Sequence, residues 1–284
     1  MNQTENTIRN ISDTALWAAV YRARETERPD ALFSDPFARR LAGERGERIA
    51  QSISFSNRVT WAWMARTYLF DQFISEQVHQ GVDLVINLAA GLDARPYRMG
   101  LPSSLRWIEV DLPDILAYKE EILRGEKPAC AVERVRLDLK DVSARRELFA
   151  QLGRGASKAL IISEGLLIYL GADEVGALAE DLAAPPSFKL WTLDIASPGL
   201  LKMTQRNMGK QINQSGASLK FGPREGPLFF ERHGWTPVDV RSLLKTAGRS
   251  KRLPFMMRLA SIFPDSSGAQ GLRPWSAVCL MARK

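Results

Sequence analysis

Apolar residues recur first at helical and then at strand spacing along the chain. From 13 to 80 the spacing is helical. Asp13 or Thr14 stands where a cap belongs, ahead of a helix carrying Leu16, Val20 and Ala23 on one side. A loop is expected at Arg28-Pro29-Asp30, then a short helix opened by Ser34-Asp35-Pro36, then a long helix from Asn57 to Val78. Short apolar runs follow at Val82–Ala89, Arg106–Asp111, Ala131–Leu137, Ala159–Ile162 and Leu190–Ile195. Helical stretches separate them at Asp114–Arg124, Ser143–Gln151 and Asp173–Leu182. Strand and helix in alternation predict a parallel sheet with helices on both faces.

Residues 197–232 break the rhythm, being polar, glycine-containing and poorly periodic, and they are expected to cover the top of the sheet. Beyond them, Thr236-Pro237-Val238-Asp239 resembles a helix start, with Thr236 as cap, Pro237 in the first turn and the helix running to Gly248. Ser276–Ala282 closes the chain as a sixth strand. Neither repeats nor a linker stands out, so 1–284 reads as one domain. Its parts are a helical cap (1–80), a core (81–196), an insert (197–232) and a C-terminal part of the sheet (233–284).

Composition narrows the function. With 45% hydrophobic and 25% charged residues, a globular fold is expected; no apolar run approaches a membrane span, and the polar start Met1-Asn2-Gln3-Thr4 lacks a signal pattern. A cytoplasmic protein without a membrane partner is expected. Cys130 and Cys279 are too few for a disulfide framework, and His79 and His233 lie too far apart for a metal cluster. The net charge of +7 permits an acidic substrate or nucleic acid, but no aromatic-basic stripe or RNA-binding module supports the latter.

Parallel sheets bind ligands at the carboxyl ends of their strands. There the first strand ends in Ala89-Ala90-Gly91, the second in Asp111, the third in Asp138, and the fourth in Glu164. Three successive terminal carboxylates around a glycine turn suggest a nucleoside pocket. Asp111 follows Gly91 by 20 residues, the usual spacing for an acid that accepts from ribose hydroxyls, or else it caps the next helix. Gly91 lets a ligand approach the backbone, or simply makes a tight turn. Asp138 can accept from an adenine amino group, or be a solvated strand end. Glu164 can meet a cationic ligand, or pair with an arginine such as Arg95. Arg66 falls on the apolar face of its helix and needs an anion, either a ligand carboxylate or an internal acid. The G-x-G-x-x-G turn, the Tyr-x-x-x-Lys pair, the P-loop and the G-x-S-x-G elbow are all missing, which favours ribose and adenine without phosphates.

Several stretches together resemble the leucine carboxyl methyltransferase family, and its bacterial branch similar to tetracenomycin-type polyketide carboxyl methyltransferases. They are Thr14-Ala15-Leu16, Tyr21–Glu25, Leu32–Ala38, Arg66-Thr67, Asn87–Arg98, Glu109–Pro113, Ser163–Leu170 and His233-Gly234-Trp235. The resemblance implies a class I methyltransferase Rossmann-like sheet of seven strands, order 3-2-1-4-5-7-6 with the seventh antiparallel, a helical N-terminal cap, and a lid insert between strands 5 and 6. The unlocated strand is expected around Leu253–Met257. It also implies S-adenosyl-L-methionine as cofactor. Arg66 would bind its carboxylate, Ala89, Ala90 and Gly91 would lie beneath it, Asp111 and Leu112 would hold the ribose, Asp138 and Leu139 the adenine, and Glu164 the methionine amino region. Arg22 and Tyr169 become substrate-positioning candidates. The family usually has glycine at 89 and threonine at 94, so the alanine methyl at 89 is expected to crowd the cofactor.

The acceptor is expected to be the carboxylate of a small, partly apolar, natural-product-like molecule. A carboxylate is ionised at pH 7, whereas a phenol of pKa ~10 lies about three units away, roughly 4 kcal/mol, and calls for a base. No histidine stands in an obvious place for one. Lys202, Arg206, Lys210, Lys220, Arg224 and Arg232 in the insert, against Glu225 and Glu231, leave a surplus of four positive charges, suiting an anionic acceptor. A hydroxyl acceptor is the alternative, and a macromolecule a more distant one.

Overall fold

The structure is a computed structural model that describes residues 11–52, 56–213, 218–262 and 273–284; the N-terminal polar stretch lies outside the described residues. Three helices come first, α1 (Ile11–Thr26), α2 (Ala38–Ser52) and α3 (Ser56–His79). The core then alternates: β1 (Leu84–Leu88), α4 (Arg95–Arg98), β2 (Arg106–Asp111), α5 (Pro113–Ile122), β3 (Ala131–Arg136), α6 (Val142–Arg154), β4 (Ala159–Ser163), α7 (Ala172–Ala183) and β5 (Phe188–Ala196). After α8 (Pro198–Asn213) and a 3-10 segment at Gly226–His233 come β6 (Trp235–Ser242), α9 (Leu243–Arg249), α10 (Phe255–Ala260) and β7 (Ser276–Arg283).

The seven strands form one sheet in the order β3-β2-β1-β4-β5-β7-β6, with β7 antiparallel to both neighbours. This is the class I methyltransferase topology. Period-two alternation sorts the side chains by face. Leu84, Ile86, Leu88, Ile161, Trp191 and Leu193 pack toward α6 and α7. Val85, Trp107, Leu160, Ile162 and Val278 pack toward Ala65, Leu69, Phe70 and Phe73 of α3. Burial of each such side chain contributes about 1.5–3 kcal/mol. A third cluster joins Leu16, Trp17 and Tyr21 of α1 to Leu92, Leu201 and Leu219, so the cap and the insert close over the same end of the sheet.

Five expectations need correction. Asp13 and Thr14 do not cap α1, which already runs at Ile11; Asp13 instead pairs with Arg45. The helix after Pro36 is long, 15 residues with a break at Gly43. Much of the insert is helical: Ser197 Oγ accepts from Leu200 N at 3.1 Å and opens α8, while Phe221, Phe229 and Phe230 enter the main core. The chain from Thr236 begins as a strand, not a helix, and α9 starts only at Leu243, capped by Ser242 Oγ. β6 is thus the seventh strand, and Phe255–Ala260 near the expected site is helical. Pro237 is tolerated because β6 is an edge strand with its register shifting between Pro237 and Asp239, where a missing N–H costs no ladder bond.

Among the described residues no helix is long and apolar enough to cross a membrane. Cys130 and Cys279 are free thiols in the interior.

Candidate functional site

Polar residues interrupt the apolar rows facing α3 near the strands' carboxyl ends: Asn87 on β1, Glu109 on β2 and Asp194 on β5. Alternation puts them on the face that carries Val85, Trp107 and Leu190. Buried polar groups of this kind need partners. Asn87 Nδ2 donates to Asp93 Oδ2 at 2.8 Å, and Asp93 Oδ1 accepts from Arg95 N at 2.8 Å, shaping the loop after β1. Against the desolvation that would raise it, Arg95, then Lys119 and Arg98, hold the Asp93 carboxyl well below the ordinary carboxylate range.

From Asp93 a chain of ion pairs runs across the strand tips. Arg95 also contacts Asp71 at 2.7 Å and Glu164 at 2.8 Å. Arg98 binds Asp71 at 2.7 Å and approaches Asp35 at 3.8 Å, and Asp35 holds Arg22 at 2.8 Å. Arg66 Nε donates to Glu164 Oε1 at 3.1 Å, while its Nη1 lies 3.5 Å from Asp194 Oδ2. The Arg66 guanidinium stands over Trp63, 4.5 Å from the ring centre. Its Nη2 has no hydrogen-bond partner among the described residues. The chain thus links four arginines to five carboxylates, an excess of one negative charge.

The residues chosen from the sequence have these surroundings. Asp111 Oδ2 accepts from Gly91 N at 2.6 Å and its Oδ1 from Leu112 N at 2.7 Å, so it closes the glycine turn from the neighbouring strand. Burial raises its carboxyl above the ordinary 3.8. Leu112 and Asp138 are exposed; Asp138 accepts from Lys140 N, and the Leu139 carbonyl accepts from Arg145. Glu164 and Arg66 come together as a pair, and Glu164 does pair with Arg95. Tyr169 forms a hydrogen bond with Thr14 of α1, and burial raises its phenol above 10.0. Arg22 spends its donors on Asp35 and on the Leu92 carbonyl at 2.6 Å, bracing the cap against the turn. Lys202 and Arg206 are exposed on α8; the Lys210 side chain lies outside the described residues. Asp194 is the residue the sequence reading missed. It accepts from Gly165 N at 2.6 Å, and burial raises its carboxyl above 3.8 while Arg66 opposes the rise.

Ala89 adopts φ +51°, a left-handed conformation costing an alanine about 1–2 kcal/mol. Ala90 beside it is buried, and Gly91 has φ +49°. Replacing half-buried Ala89 with glycine is expected to stabilise the protein by about 1 kcal/mol, raising Tm by roughly 2 °C for a domain of this size. A thermal melt that stays level or drops would show that the Ala89 methyl contributes packing that outweighs the strain.

A cavity of about 830 Å³ lies elsewhere, lined by Phe149, Arg154, Pro185, Pro186 and Lys189. It sits at the amino ends of β4 and β5, opposite the tips where parallel sheets bind ligands. The chain of ion pairs at the strand tips, not this hollow, is the candidate site.

A sequence model of leucine carboxyl methyltransferases matches residues 15–183. A Parafrankia sp. protein named for S-adenosyl-L-methionine-dependent methyltransferase activity is 32% identical over 275 residues, 92% of this chain and 88% of that one. A Rhodococcus jostii protein of the same description is 36% identical over 191 residues, covering 63% and 65%. Among solved structures, a DUF574 family protein from Streptomyces avermitilis aligns with TM-score 0.58 at 13% identity, covering 94% of this chain and 97% of that one. A Thermobifida fusca protein aligns with TM-score 0.55 at 16% identity, covering 94% of each. At such identities the structural likeness is one of fold. The match to the family model and to a relative aligned over most of both chains, on a sheet of this topology, establishes that the chain belongs to the leucine carboxyl methyltransferase family and is an S-adenosylmethionine-dependent methyltransferase.

Proposed function

We propose that the enzyme methylates a carboxylate oxygen of a small, partly apolar, anionic acceptor, with residues 1–284 acting as one domain. One observation carries this reading: no histidine is free at the strand tips to serve as a base. His233 is bound to Glu180 at 2.9 Å and packs its ring against Phe229 at a tilt, and His79 Nδ1 donates to the Ser75 carbonyl at the far end of α3. Glu164, Asp93 and Asp194 are tied to arginines. An acceptor that is already ionised needs no base. Lys202 and Arg206, exposed on α8, supply attraction for an anion.

The residues fit the cofactor. Its methionine carboxylate suits the unengaged Arg66 Nη2. Its net positive charge suits a pair network with one excess carboxylate. The ribose hydroxyls suit the remaining lone pairs of Asp111, and adenine the Asp138-Leu139 end of the sheet. Glu164 faces the amino region, and the Ala89-Ala90-Gly91 turn forms the floor. When bound, S-adenosylmethionine supplies an electrophilic methyl group on a sulfonium. The protein's part is then to align an acceptor oxygen with it. Arg66 fixes one end of the donor, Asp111 the other, and the cap helices with α8 exclude water. Tyr169, held by Thr14, lines the acceptor side, and Arg22 supports it indirectly through the Leu92 carbonyl.

The product is expected to be an ester, releasing methanol under mild alkali. Turnover should survive His233→Ala in a folded variant, because that ring only ties the 3-10 segment to α7. An alkali-stable methyl product whose formation is abolished by His233→Ala would replace this reading with hydroxyl methylation.

A further inference from the structure

We propose that Asp194 is a positioning residue that sets the orientation of the Arg66 guanidinium and thereby the affinity for the methionine portion of the cofactor. The inference rests on the reading of Arg66 as the carboxylate ligand. Arg66 is held from two sides, by Glu164 Oε1 on Nε at 3.1 Å and by Asp194 Oδ2 near Nη1 at 3.5 Å. Glu164 is shared, since its other oxygen is drawn to Arg95 at 2.8 Å. One acid therefore leaves the guanidinium free to swing about Nε, and Asp194 supplies the second point that fixes it over Trp63.

Asp194 also shapes the surface beneath Arg66. Its Oδ1 accepts from Gly165 N at 2.6 Å and holds that residue at φ +68°. A Cβ at Gly165 would stand 3.1 Å from Arg66 Nη1, so the bare backbone there is the seat of the guanidinium. β4, β5 and α3 meet at this one carboxylate. With Nε–H and one Nη1 hydrogen engaged, the Nη2 hydrogens and the second Nη1 hydrogen are the donors left for a ligand.

Calorimetric titration of wild type, Asp194→Asn, Arg66→Met and the double variant, with S-adenosylmethionine and with adenosine, tests the assignment. Asp194→Asn is expected to weaken S-adenosylmethionine about tenfold, to leave adenosine within about twofold, and to add nothing once Arg66 is methionine. Equal losses for both ligands would reduce Asp194 to a support of the Gly165 turn and overturn the proposal. A loss that persists with Arg66→Met would overturn it too, since Asp194 would then meet the cofactor itself. If Arg66→Met alone leaves S-adenosylmethionine affinity unchanged, the reading of Arg66 fails first. If Arg66→Met weakens it but Asp194→Asn is silent, only the role of Asp194 fails. Should Asp194→Asn not fold, Asp194→Glu moves the carboxylate by one methylene and is expected to show the same selective loss, whereas wild-type affinity there would refute the proposal.

Discussion

Asp111→Ala should weaken binding of S-adenosylmethionine by roughly 5- to 150-fold, about 1–3 kcal/mol, the scale of hydrogen bonds to a charged acceptor. Two roles converge on this carboxylate. It closes the Gly91 turn at 2.6 Å, and it stands where ribose hydroxyls are expected. Asp111→Asn separates them, because an amide oxygen still accepts from Gly91 N while the charge is gone. If both variants lose affinity, the charge matters to the ligand. If only alanine does, Asp111 serves the turn. An unchanged dissociation constant in a folded Asp111→Ala protein would leave it no part in binding.

Acid gives an independent view. Burial raises the Asp111 carboxyl above 3.8, so its protonation on acidification begins at a higher pH than for an ordinary aspartate. Cofactor affinity, which needs the charged form, should fall through that raised range in wild type and lose this component in Asp111→Asn. Stability runs the other way for this group. Between the unfolded and the raised folded pKa the native state binds more protons, so its contribution declines as pH rises through that window.

Much of this was legible in the chain, and the failures have physical causes. Fully buried parallel strands announce themselves as continuous apolar runs, and β1, β2 and β4 lie within two residues of their expected bounds. A hydroxyl residue followed by proline occurs twice, with opposite outcomes. Ser197-Pro198 opens α8, whose side facing the cap is apolar, with Leu201 buried there. Thr236-Pro237 enters an edge strand, because Trp235 is already paired with Arg283 and a register shift absorbs the proline. Local chemistry is the same in both; the available strand edge decides. Asp194 hides inside an apolar run, yet an acid in a buried strand is itself a signal, since an unpaired charge there is costly and a partner from another element is required. Which arginine answers it depends on how α3 crosses the sheet, which spacing does not encode. The strain at Ala89 is likewise invisible until the turn has a backbone, although the family's preference for glycine points to it.

Glu109→Ala is expected to have the largest effect on stability, a loss of about 3–5 kcal/mol out of a typical total of 5–15. Glu109 and Lys119 are completely buried and meet at 2.6 Å, and Arg134 Nε reaches the second Glu109 oxygen at 2.9 Å. Arg134 would keep a partner in the Tyr97 hydroxyl at 2.7 Å. Lys119 would be left as a buried ammonium with its close acceptor removed, and that uncompensated charge, not the attraction lost, dominates the cost. The pair also ties α5 to β2 directly behind Asp111, so cofactor binding should weaken along with stability. Replacing both partners, Glu109→Leu with Lys119→Met, removes the charges together and should recover most of the loss, because a buried ion pair is often matched by apolar residues of similar volume. Chemical denaturation of the single and double variants measures both effects. A single-variant loss below about 1 kcal/mol would mean that water reaches Lys119 and that the pair is not sealed. A double variant as unstable as the single would show instead that this interior depends on the hydrogen-bond geometry Glu109 gives to Arg134.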